Sequence, residues 1–288
     1  MKQPLFAFFG TPSLSVHVLD ALEAHGMLPA LVITAPDRPQ GRGLVLTPSP
    51  VKFWAQERSI DVLTPTTLSA KGGSASGGKD FLAEISNTDW DLFVVAMYGK
   101  LIPKIVLDMP QKGCLNVHPS LLPKFRGPSP VLSAILADER ATGVTIMQMA
   151  EKMDAGPIVA QARIELEEET WPPKGSEFED LLSTEGGNLL AETIPHWLSG
   201  QIEPEIQDES LATFTKKFTD ADSLIDLSGN AREQLLKIRA FDNPPAGGPR
   251  GQRAHFFHNS KRIIITDAEI TDDTLHILRV IPEGKKEM

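Results

Sequence analysis

The sequence predicts an α/β fold, a parallel sheet carrying helices, followed by a smaller and mostly β segment. Three observations predict it. Through the first part of the chain, short β-rich runs alternate with amphipathic segments. One run, "DLFVVAM" at 91–97, is apolar without interruption, as expected of a parallel strand covered on both faces. After a charged helical stretch at 220–240, the pattern changes to strand-like alternation in "AHFFHNSKRIIITDAEI" and "DTLHILRVI".

The elements follow in order. "LFAFFG" (5–10) reads as a strand, and "SLSVHVLDALEAHG" as a helix. Its Leu14, Val18, Leu19 and Leu22 recur at helical spacing, and Gly26 closes it. "PALVITA" (29–35) is the next strand and "PVKFWAQERS" (50–59) the next helix. "KGGSASGGK" (71–79) cannot pack a core and is expected to be a surface loop. After 91–97 come the strand "CLNVH", the helix "SPVLSAILAD" (129–138), and the strands "VTIMQM" (144–149) and "PIVAQARIEL" (157–166). A long helix over 176–200 closes the first domain, and the polar, acidic 201–210 suits a linker. We therefore expect domains at 1–206 and 207–288.

The 288 residues suffice for a sizeable core, and 41% hydrophobic with 23% charged residues is ordinary globular composition. No apolar run approaches the roughly 20 residues that span a bilayer, and "MKQPLFAFFGTP" lacks the layout of a signal peptide. The single cysteine, Cys114, excludes an internal disulfide framework. A cytoplasmic protein is expected. The net charge of −10 argues against coating nucleic acid through an overall field, while leaving room for a local basic site.

Chemistry concentrates in "CLNVHPSLLPKFRG", Cys114 to Gly127. In a strand, residues i and i+2 share a face, so Asn116 and His118 project together while Leu115 and Val117 turn into packing. Pro119 has no N–H and ends the ladder. This places an amide and an imidazole at the carboxyl end of a buried strand, where open α/β sheets bind ligands. Two polar residues satisfied by backbone would look the same. What favours chemistry is "MDAGPI" (153–158), a turn that offers Asp154 just past another strand. A carboxylate to hold an imidazole, with an amide donor beside it, is a set suited to acyl transfer.

The segment "APDRPQGRGLVLTPSPVK" (35–52) is long and poorly apolar, and carries Arg38, Arg42 and Lys52. It is either an irregular loop or one that reaches toward phosphates. "GRGLVL" lacks the third glycine of a dinucleotide fingerprint, and Cys114 with His118 make no metal cluster. No metal is expected, and no serine lies in a nucleophile elbow.

At "NVHPSLLPKFRG" with "MDAGP", and at "FFGTPSLS" with "APDRPQGRGLVLTPSPVK", the sequence closely resembles the methionyl-tRNA formyltransferase family. The similarity continues into "IDLSGNAREQLLKIRAFDNPP" and "VIPEGKKEM". The resemblance implies a Rossmann-like formyltransferase domain and a small OB-like tRNA-binding domain, here shortened. It implies Asn116, His118 and Asp154 as the catalytic trio and 10-formyltetrahydrofolate as co-substrate. Ser120, Leu121, Leu122 and Pro123 would lie along the folate, with Tyr98 and Gly99 facing the pterin. Arg42, flanked by Arg38 and Lys52, would meet the acceptor stem of initiator methionyl-tRNA. A monomer is expected.

The chain departs from the family at Phe125, where Trp is usual, and at "GPSP" (127–130), where Gly-Ala-Ala-Pro is usual. Rival readings are a formyltransferase acting on a sugar-nucleotide amine or glycinamide ribonucleotide, a formyltetrahydrofolate hydrolase, and a non-catalytic tRNA-binding protein. The Arg42 loop argues against the first two classes. The complete trio argues against the last.

Overall fold

The computed structural model describes residues 3–40, 43–69, 77–243, 252–284 and 287. Strand β1 (Phe6–Gly10) leads to helix α1 (Ser13–Ala24), then β2 (Leu31–Ile33), β3 (Arg38–Gln40), β4 (Val45–Thr47), α2 (Pro50–Glu57) and β5 (Asp61–Leu63). Helix α3 (Gly77–Ser86), β6 (Leu92–Ala96), α4 (Lys104–Leu107), β7 (Cys114–His118) and α5 (Pro130–Leu136) follow. The hairpin β8 (Thr142–Gln148) and β9 (Ile158–Ile164) precedes the long helix α6 (Gly175–Leu198). The remainder holds α7 (Ala231–Ala240) and strands β10 (His255–His258), β11 (Lys261–Thr271) and β12 (Thr274–Pro282).

Seven strands form one sheet in the order β5-β2-β1-β6-β7-β8-β9. The first five run parallel, as the strand–helix alternation predicts. β8 and β9 run antiparallel, which corrects the all-parallel expectation. The physical reason lies in the connection after β7. Helix α5 has only seven residues, about 10 Å at 1.5 Å per residue. The chain leaving α5 re-enters the sheet at the carboxyl end of β7, with Thr145 opposite His118, so β8 runs back along it.

Both faces of the sheet are covered, and the strand alternation shows it directly. Phe8, Val94 and Leu115 pack with Val18, Leu19 and Leu22 of α1 and Leu190 and Ile194 of α6. Phe9, Phe93 and Cys114 face the other way, onto Phe81 and Ile85 of α3 and Val106 and Leu107 of α4. Two glycines in the middle of α6 explain how closely that helix lies on β7. A Cβ on Gly186 would come within 2.4 Å of the Val117 side chain, and one on Gly187 within 2.7 Å of Ala21. Each glycine costs about 1 kcal/mol of helix propensity, and here each permits contact with a neighbouring element.

The C-terminal part is a three-stranded antiparallel sheet, β10-β11-β12. It is not separately cored. Leu235, Leu236 and Ile238 of α7 and Ile265 and Ala268 of β11 share one cluster with Val131, Leu132 and Ile135 of α5 and Phe178 and Leu182 of α6.

Other expectations are refined. The segment before α2, expected to be a loop without regular structure or one reaching toward phosphates, contains the hairpin β3–β4, with Arg38 paired to Thr47 and Gln40 to Val45. The edge strand β5 had no signal beyond three residues. Residues 77–79, assigned to a surface loop, begin α3, and 71–76 lie outside the described residues. Of the expected helical stretch 220–240, a single 3-10 turn covers Asp220–Ser223 and the helix proper starts at Ala231. Its start is set by Asn230, whose side chain accepts from the Glu233 N–H.

Candidate active site

Strand β7 ends at the carboxyl edge of the sheet, flanked by β6 and β8. Leu115 and Val117 are buried in the core, as their alternation requires. Asn116 and His118 occupy the opposite face. Asn116 is partly exposed, and among the described residues its amide has no hydrogen-bond partner. His118 is buried, 4% exposed.

The His118 ring is held on two sides. Its Nε2 lies 3.1 Å from the Phe125 carbonyl, and a carbonyl only accepts, so Nε2 carries the proton. The other nitrogen, Nδ1, stands 4.0 Å from Oδ2 of Asp154. Burial pushes the imidazole pKa down, while the Asp154 charge and the Phe125 carbonyl pull it up, and the net direction is down. His118 therefore stays neutral to lower pH than an ordinary histidine.

Two loops supply those contacts. The first, residues 119–127, contains the cis bond Leu122–Pro123. Thr145 of β8 pins it, donating to the Ser120 carbonyl (2.6 Å) and accepting from the Leu122 N–H (3.1 Å). Gln161 of β9 donates to the Leu122 carbonyl, 2.8 Å away. The Ser120 hydroxyl is spent on the Lys124 carbonyl (2.7 Å), and Ser120 and Leu122 are buried. Leu121 and Pro123 remain partly open. The backbone groups of both residues are engaged as well, the Ser120 N–H on the His118 carbonyl at 2.9 Å, so these two residues shape the loop.

The second loop carries Asp154 at φ +50°. Asp tolerates this left-handed conformation better than most residues, at some strain. Asp154 Oδ2 accepts from the Gly127 N–H at 2.8 Å, so the carboxylate bridges His118 to the first loop. Gly156 is required for the turn: a Cβ there would lie 1.7 Å from the Gln148 carbonyl oxygen. The sequence offered no proof that Asp154 meets His118, and the fold brings them together.

Beside β6, Tyr98 packs edge-on against Phe9, with centroids 5.6 Å apart. Its hydroxyl is buried without a partner among the described residues, and burial raises its pKa. Gly99 is open, with nothing within 4 Å of a Cβ placed there. Next to it Lys100 donates to the Pro65 and Thr66 carbonyls. Burial lowers the Lys100 pKa, and the charge of Arg38 lowers it further. Arg38 is exposed on the hairpin, together with Leu44, Val45 and Leu46. Lys52 is engaged at the hairpin's base by Asp37, 2.8 Å away, and its side chain is 21% exposed. Arg42 lies outside the described residues.

Residues for which no site role was expected complete the site. Phe125 and Gly127 act through backbone groups, which side-chain patterns do not reveal. Thr145 and Gln161 lie on strands whose pairing direction was misjudged. The described residues hold no group of three or more His, Cys, Asp or Glu side chains able to bind a metal. No helix among them is long and apolar enough to cross a membrane.

Residues 3–176 match the formyl transferase family. The methionyl-tRNA formyltransferase of Chloroflexus aurantiacus is 42% identical over 240 residues, covering 83% of this chain and 73% of the relative. The chain belongs to the methionyl-tRNA formyltransferase family. By that membership it is a formyltransferase. The fold agrees with solved structures. The methionyl-tRNA formyltransferase of Clostridium thermocellum superposes with a TM-score of 0.61 at 14% identity, covering 97% of this chain and 98% of that one. HypX of Aquifex aeolicus in complex with tetrahydrofolic acid gives 0.64 at 17% identity, covering 93% of this chain and 38% of the other.

Proposed function

We propose that this chain transfers a formyl group from 10-formyltetrahydrofolate to the α-amino group of initiator methionyl-tRNA in the cytoplasm. The observation that carries the reading is the His118 ring held between the Phe125 carbonyl and the Asp154 carboxylate, on the same strand face as the unpartnered Asn116 amide. Attack by the neutral amine on the formyl carbon creates an oxyanion. The Asn116 amide is the free donor for that charge, the His118 Nε2–H being committed to the Phe125 carbonyl. The amine loses a proton and the departing folate nitrogen gains one. The His118–Asp154 pair is suited to move it, since the carboxylate stabilises the imidazolium that forms in passing.

The folate fits the surface along Tyr98, Gly99 and residues 120–123. Gly99 leaves room for close backbone approach, and the Tyr98 hydroxyl is a buried polar atom without a partner. The amine acceptor would be read by the exposed hairpin, with Arg38 and Arg42 toward phosphates. Lys52 would act mainly by bracing the hairpin through Asp37. In this reading residues 1–206 carry the chemistry, and residues 207–288 add to tRNA binding.

Incubation with methionyl-tRNA and 10-formyltetrahydrofolate should give N-formylmethionine on the tRNA. Formylation of a sugar-nucleotide amine in its place, or release of formate alone, would overturn the reading.

A further inference from the structure

The acidic stretch after α6 reads in sequence as a linker, yet it lines the back of the site. Glu205 exchanges backbone hydrogen bonds with Ile158 at 2.7 and 2.8 Å. Further on, the Thr213 carbonyl accepts from the Arg126 N–H at 2.9 Å, and the Thr215 N–H donates to the Arg126 carbonyl at 2.7 Å. The Thr213 hydroxyl accepts from the Phe125 N–H at 2.8 Å. Residues 205–215 therefore fasten the loop whose Phe125 carbonyl holds His118.

Gln207 lies within this segment and is 5% exposed. Its Nε2 donates to two carbonyls of the acidic turn, Asp154 at 3.0 Å and Gly156 at 2.6 Å. Its Oε1 accepts from Arg126 Nε at 2.9 Å. Arg126 is itself buried, and its Nη1 reaches Glu209 at 2.8 Å. One amide side chain thus ties the turn bearing Asp154 to the loop bearing Phe125 and Gly127. These are the two loops that grip His118. Asp154 has a strained φ of +50° and persists there only if its surroundings hold it. Its carboxylate already stands at 4.0 Å from Nδ1, so small displacements matter.

We propose that Gln207 is a positioning residue for formyl transfer, keeping the Asp154 carboxylate in register with the His118 ring from outside the catalytic loops. The claim rests on the reaction proposed above. It makes the segment between the sheet and the C-terminal helix part of the active site's framework.

The variant Q207L removes all three bonds at similar volume, and Q207N keeps an amide too short to span the two loops. Each should lower kcat roughly 10- to 100-fold, the scale of an ångström-sized misplacement. KM for 10-formyltetrahydrofolate should stay within about threefold. The control S210A, on a hydroxyl that bonds only Asp208, should match wild type.

A merely structural role would not move the His118 ionisation. Asp154 is the charged group that raises the His118 pKa, so loosening it should shift His118 titration and the acid limb of kcat/KM to lower pH in both variants. NMR titration of the ring reads this without turnover. If wild type formylates nothing, the proposed reaction fails, and the positioning claim is still decided by the titration. A folded Q207L or Q207N with unchanged kcat, or with an unmoved His118 titration, would overturn the claim. Should Q207L not fold, Q207N decides alone.

Discussion

His118 and the β3–β4 hairpin are opposite extremes in how tightly this chain fixes its polar residues. The imidazole is buried, bonded through Nε2 to the Phe125 carbonyl and faced at Nδ1 by Asp154 at 4.0 Å, on loops that are themselves pinned from β8, β9 and residues 205–215. The hairpin is a two-stranded element of three residues each, exposed along nearly its whole length and braced at its base by Lys52–Asp37. Chemistry needs groups held to fractions of an ångström. Recognition of a large, charged acceptor needs reach, and an exposed two-stranded hairpin has little packing of its own. In the reaction proposed above, bond-making falls to the sheet end and acceptor reading to the hairpin.

The strongest challenge to that division is removal of the chemical groups. His118→Ala, Asn116→Ala and Asp154→Ala should each lower turnover by about 10²-fold or more, with folate affinity changing far less. Turnover near wild type in His118→Ala would end the assignment.

Gly156→Ala probes the rigid side without touching a functional group. Its methyl would need the space of the Gln148 carbonyl, so the turn must move. We expect a loss of about 3 kcal/mol in urea denaturation and a fall in kcat. A variant with wild-type stability and turnover would show that the turn is not fixed as described.

On the other side, Arg42→Leu should weaken tRNA use roughly tenfold, the scale of a lost charge-assisted contact. A small amine acceptor, if one reacts, should be indifferent to it. Equal losses with both acceptors would place Arg42 beside the chemistry.

The smallest effect is electrostatic. His118 should titrate below an ordinary histidine, because burial outweighs the Asp154 charge. In Asp154→Asn that charge is gone, so the titration should move lower still. An upward shift by NMR would show that Asp154 does not act on the ring.

The rigid region was also the more legible one. Alternation in "CLNVH" placed Asn116 and His118 on one face and Leu115 and Val117 in the core, and the fold bears this out. What alternation could not give was the pairing of β8. That depends on where the chain after α5 re-enters the sheet, and it sets Thr145 under residues 120–122. Nor could it give Gln207. A polar residue in an acidic, Pro-containing stretch reads as solvent-facing, and only the tertiary approach of residues 205–215 to the site buries it. The hairpin escaped detection for a different reason. With residues 38–40 and 45–46 all exposed, it has no buried face to impose an apolar period.

The division of labour is tested most directly by steady-state kinetics of His118→Ala and Arg42→Leu with methionyl-tRNA, varying tRNA and 10-formyltetrahydrofolate in turn. The account predicts that His118→Ala lowers kcat by about 10²-fold or more with little change in either KM. It predicts that Arg42→Leu lowers kcat/KM for tRNA while KM for the folate stays within about threefold. The two variants damaging the same parameter to the same degree would contradict it.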